Sequence, residues 1–136
     1  MNADEMREHC LAKPGAWEHW PWGGGPEADH GQDNTSDHEH PVIKVGEGER
    51  GKIFAFLGSG GVGIKGGPSR EAADEWLDRF PGEATVMAYI GRSGWNDLSF
   101  SGAIPDEDLL DAVDESYRLV VAKLPKKHRP DGWDDA

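Results

Sequence analysis

Cysteine is nearly missing from these 136 residues. Cys10 stands alone, which excludes a disulfide framework. Long apolar runs are missing too, since the best of them, Ile53-Phe54-Ala55-Phe56-Leu57, is far short of the ~20 residues a membrane helix needs. Positive charge is scarce, with 14 Lys and Arg against 26 Asp and Glu and a net charge of -12. That balance opposes broad binding to a polyanion, because such affinity comes largely from cations displacing counterions. Leu, Ile, Val and Phe are few as well, and alone that shortage would suggest disorder. Their placement argues otherwise, because all but Leu11 fall within residues 42–124. A folded unit is therefore expected there, fringed by polar segments. The lone thiol and an acidic opening without a basic stretch lead to the expectation of a reducing, cytoplasmic setting and no signal peptide.

What is present reads in order along the chain. A helix is expected from Asn2 or Asp4 to about Lys13, stopped by Pro14-Gly15. Residues 23–41, rich in Gly, Asp and His, are expected to form a flexible insertion. Strands follow at residues 42–45, 52–57 and 62–65, the last two joined by a glycine hairpin at residues 58–61. Ser69 caps a helix whose apolar face is Ala73, Trp76, Leu77 and Phe80, ended by Pro81-Gly82. Strands at residues 86–92 and 95–101 are expected to join through a tight Ser93-Gly94 turn. Asp106 is expected to cap a last helix with a core stripe of Leu110, Val113, Tyr117, Val120, Val121 and Leu124. The order is α-β(3)-α-β(2)-α, an α+β two-layer sandwich on a five-stranded, mainly antiparallel sheet. One domain spans residues 1–125, and residues 126–136 form a polar tail.

Several of these stretches carry a resemblance. Cys10-Leu11-Ala12-Lys13-Pro14-Gly15-Ala16-Trp17-Glu18, Pro21-Trp22-Gly23, Lys52-Ile53-Phe54-Ala55-Phe56-Leu57, Gly94-Trp95-Asn96 and the run from Asp114 through Tyr117 to Pro125 look like the MmcQ/YjbR family. The resemblance implies the same element order, a fold shared with secretion chaperones, and DNA binding through a double wing of strands and loops. The fold analogy leaves monomer and dimer both open. One departure weakens the DNA reading. Where relatives carry a basic, histidine-bearing segment, residues 87–95 here hold Arg92 as the only cation.

Two binding surfaces and no catalytic residue follow from the residues. Lys44, Lys52, Lys65 and Arg92 would meet the phosphates of a nucleic acid if they shared a face, with Trp95 stacking on a base. Alternatively, Trp17, Trp20 and Trp22, with Tyr89, would line a site for a small aromatic ligand or a protein partner. Each group has a plainer reading, as solvated strand cations or as aromatics covering the end of a small core. The pattern Gly58-Ser59-Gly60-Gly61-Val62-Gly63 leads into a strand, so it reads as a hairpin rather than a phosphate loop. Asp29, His30, Asp33, Asp37, His38, Glu39 and His40 offer metal ligands, but a glycine-rich segment would pay ordering entropy to close a site, so they read as a solvated loop. Lys123, Lys126, Lys127 and Arg129 read as a helix end complementing its dipole. Cys10 and Tyr117 read as packed core residues. The expectation is a non-enzymatic binding protein without a cofactor or metal.

Overall fold

A computed structural model of the chain describes residues 1–20, 41–48 and 51–135. The first helix, α1 (Ala3–Leu11), starts at Asn2, whose side-chain oxygen accepts from the Glu5 N–H at 2.8 Å while the Glu5 carboxylate accepts from the Asn2 N–H at 3.1 Å. This reciprocal box satisfies two of the donors every helix start leaves open. Met6 and Cys10 are its buried face.

The sheet has six strands rather than the expected five. They are β1 (Ala16–His19), β2 (Val42–Val45), β3 (Lys52–Leu57), β4 (Gly61–Lys65), β5 (Ala84–Val86) and β6 (Trp95–Ser99), all paired antiparallel in the order β1-β2-β3-β4-β6-β5. The added strand is β1, so the observed order is α-β(4)-α-β(2)-α, with α2 (Arg70–Arg79) and α3 (Asp106–Ala122) completing it. Four residues mixing Trp, Glu and His give no strand signal alone; pairing with β2, distant in sequence, makes them one. Arg7 of α1 grips Glu18 of β1 with two bonds, at 2.5 and 3.0 Å, and holds that carboxyl below its ordinary pKa.

Four other expectations shift. The strand expected at residues 86–92 is only Ala84–Val86, and the connection to β6 is a longer loop containing a single 3-10 turn, Gly91–Ser93. Arg70 causes much of this, because its guanidinium takes the Gly91 and Trp95 carbonyls at 2.8 and 3.2 Å, besides Asp74 and Asn96. Gly94 closes the loop at φ 105°, where a Cβ would stand 2.6 Å from the Gly67 oxygen. The second strand of that pair ends at Ser99 rather than residue 101, and the Ser101 N–H turns back to the Ser99 hydroxyl. At α3 the cap is Pro105, with no side-chain bond, and Asp106 is the first helical residue, paired instead with the Met1 ammonium at 3.2 Å. The α3 stripe is also rotated by one position at its start, with Leu109 in the core and Leu110 half-buried.

One buried face of the sheet carries Ala55, Leu57, Val62, Ile64, Leu98 and Ala84, with α1 and α3 packed on β3 and β4 and α2 on β5 and β6. The sheet forks at one end. β3 stays with β2 down to Lys52, opposite Val45, but pairs with β4 only from Ala55, opposite Ile64; β4 meanwhile follows β6 to Lys65, opposite Trp95. Helix α3 reaches into the opening with Ser116, fully buried, whose Oγ accepts from the Lys65 N–H at 2.9 Å and donates to the Phe54 carbonyl at 2.7 Å. Those are the two backbone groups that another rung of the ladder would have joined. One hydroxyl replaces the rung.

Candidate functional site

The mouth of this fork is a cleft of about 540 Å³. Its apolar walls come from Ile53 and Phe56 of β3, Trp95 of β6, Ile90 of the loop before it, and Leu119 and Val120 of α3. Phe56 and Trp95 meet edge to face with ring centres 5.5 Å apart, which fixes the wall between them. Around these stand Lys44, Lys52, Lys65 and Lys123. Four of the chain's seven lysines thus border one cleft, and among the described residues no Asp or Glu lines it. In a chain of net charge -12, that is a strong local reversal of sign.

The geometry of the cations differs. Lys44 Nζ lies over the Trp17 ring at 5.4 Å. Lys52 is exposed. Lys65 is half-buried, and its Nζ donates to the Ser93 carbonyl at 3.1 Å. Burial, and secondarily the charge of Lys123, push the Lys65 ammonium below its ordinary pKa. Such an arrangement attracts an anion, because bringing one in relieves cation repulsion inside low-dielectric walls.

Lys44, Lys52, Lys65 and Trp95 of the expected phosphate-contacting set therefore come together, whereas Arg92 is exposed on the 3-10 turn and does not line the cleft. Trp95 is only 9% exposed and serves as wall. Lys123, read from sequence as a helix-end charge, belongs to the cleft because α3 ends beside β4. Arg129 does what was expected of that basic cluster, donating to the Leu124 and Ala122 carbonyls at 2.9 and 2.7 Å.

The described members of the expected aromatic group line no common cleft. Trp17, in β1, donates to the Gly46 carbonyl at 2.6 Å and lines a second cleft of about 580 Å³ with the turn at residues 46–48 and residues 127–130. Trp20 is half-buried and bonded to Glu18, and Trp22 lies outside the described residues. Tyr89 contacts neither cleft; its ring is fully exposed, and its φ of 67° makes it the one non-glycine of positive φ among the described residues.

The remaining candidates resolve simply. Cys10 is buried, and desolvation pushes its thiol up to about 12, which removes thiolate chemistry near neutrality. Tyr117 packs edge to face on Phe54 and donates to the Pro14 carbonyl at 2.5 Å. The glycine pattern at residues 58–63 is the β3–β4 hairpin running into β4, closed by the Gly58 N–H on the Gly61 carbonyl at 3.0 Å. The candidate metal ligands at residues 29–40 lie outside the described residues, among which no group of three or more His, Cys, Asp or Glu could hold a metal. Among the described residues, no helix is long and apolar enough to cross a membrane.

Comparison with known proteins places this architecture. Its fold matches the crystal structure of Deinococcus radiodurans protein DR2400, family-model domain DUF419, with a TM-score of 0.72 at 22% identity, over 93% of this chain and 83% of that one. It is 25% identical over 129 residues to the uncharacterized protein YjbR of Escherichia coli, in both strain K12 and O157:H7, covering 95% of each sequence. A family model described as YjbR matches residues 11–119. The chain belongs to the YjbR family.

Proposed function

We propose that this protein acts by binding rather than catalysis, and that its ligand is a small anion with a flat apolar body, held in the cleft at the fork of the sheet. The observation that carries this reading is the convergence of four of the seven lysines on one apolar cleft bordered, among the described residues, by no carboxylate. The walls bury a ring while the lysines take its carboxylate or phosphate, the usual division of labour in a small-molecule site.

A single-stranded nucleic acid is the second reading, favoured by the same lysines and by Phe56 and Trp95 beside them, with one base in the slot and flanking phosphates on the rim. The net charge of -12 and the exclusion of Arg92 count against it. Titrating tryptophan fluorescence with 1-naphthyl phosphate and with an oligothymidine separates the two. The first reading expects saturation by naphthyl phosphate, weakened about tenfold or more by Lys123→Ala, as loss of one charge-assisted contact implies. Saturation only by the oligonucleotide, falling linearly in log salt, supports the second. Saturation by neither refutes both.

A further inference from the structure

Lys65 differs from the other lysines of the cleft. Its backbone N–H is fixed by the buried Ser116 hydroxyl, and its residue is paired with Trp95. Its amine is directed to the Ser93 carbonyl at 3.1 Å, an acceptor that serves a neutral amine as well as an ammonium. The charged groups facing it across the cleft are Lys123 just after α3, Lys44 of β2 and Lys52 of β3, and among the described residues no lining carboxylate holds it protonated.

We infer that Lys65 is a nucleophile that captures an anionic aldehyde or α-keto acid as an imine within the cleft. The inference rests on the cleft being a binding site. Two conditions activate a lysine amine, desolvation by apolar surroundings and a neighbouring cation, and half-buried Lys65 has the first in part and the second in full. The charges of Lys123, Lys52 and Lys44 would hold the carboxylate of the incoming compound. In the reaction, the lone pair of neutral Nζ forms a C–N bond to the carbonyl carbon as the C=O π pair moves to oxygen. A proton passes from nitrogen to that oxygen, a second from solvent turns it into water, and water leaves as the C=N bond forms. No electron is gained or lost overall, and no further reactant is required.

The test uses the full chain with glyoxylate and cyanoborohydride at pH 7.5, the reduced adduct being located by peptide mass spectrometry over time. Lys65 is expected to be modified first, ahead of exposed Lys126 and Lys127, because burial and the charge of Lys123 favour its neutral amine. Propanal, which carries no charge, should show the same order with a smaller margin. Lys123→Ala should move the pH midpoint of Lys65 modification upward, and Lys123→Arg should leave it in place. Modification of Lys65 no faster than that of Lys126 and Lys127 overturns the imine. If 1-naphthyl phosphate still binds in that case, only the nucleophile is wrong; if it does not, the cleft reading fails with it.

Discussion

Ser116→Ala is the sharpest perturbation of this fold. The hydroxyl is fully buried and serves two backbone groups at once, the Lys65 N–H at 2.9 Å and the Phe54 carbonyl at 2.7 Å. Alanine fits the space, so the change removes one oxygen and leaves a donor and an acceptor without partners. Each buried group left unsatisfied costs about 1–3 kcal/mol, so the expected loss for the two is about 2–6 kcal/mol. The vacated volume is that of a hydroxyl and is too small to admit a bridging water in compensation. For a domain of this size each kcal/mol moves Tm by about 3–5 °C, and the melting point should fall by about 6–30 °C. Urea unfolding followed by far-UV circular dichroism measures the loss directly, and Ser101→Ala, on the exposed surface, is the control expected to change stability by less than about 0.5 kcal/mol. A loss below about 1 kcal/mol for Ser116→Ala would refute the claim that this hydroxyl replaces a rung of the sheet.

Further consequences can be checked in the same way. Arg70→Met removes a guanidinium that bonds Asp74, Asn96 and the Gly91 and Trp95 carbonyls; it should cost about 2–3 kcal/mol in urea unfolding and free the loop before β6, read as faster amide exchange there. Asp114 is half-buried, which opposes its ionisation, yet its bonds to Lys13 at 2.5 Å and His9 at 2.8 Å prevail and hold its carboxyl below the usual value. With the folded pKa below the unfolded one, its stabilisation is complete above the ordinary carboxylate range and is lost as pH falls through the folded value, so Asp114→Asn should flatten the acid limb of a stability profile below about pH 4. Cys10 should resist iodoacetamide at pH 8 in the native protein and react at once in urea; rapid native labelling would contradict its burial and its raised pKa of about 12.

The sequence by itself determined the elements whose signals are local. β2 and β3 lie where alternation and β-branched content put them, α2 starts after the Ser69 cap, and the long apolar period of α3 marks a helix against the sheet. It also determined that Cys10 and Tyr117 are core residues, since each recurs at helical spacing with apolar neighbours. β1 escaped this reading because four half-buried residues become a strand only through a partner distant in sequence. The loop before β6 escaped it because the competing claim on its carbonyls comes from Arg70, on another element. The cleft was half legible: Lys44, Lys52, Lys65 and Trp95 stand out as cations and an aromatic on neighbouring strands. Tertiary structure alone decided that they face one another, that Lys123 joins them while Arg92 does not, and that a buried hydroxyl holds the sheet open to make room. The physical reason is that local propensity acts over a few residues, whereas a fork in a sheet is set by which of three strands each backbone group pairs with.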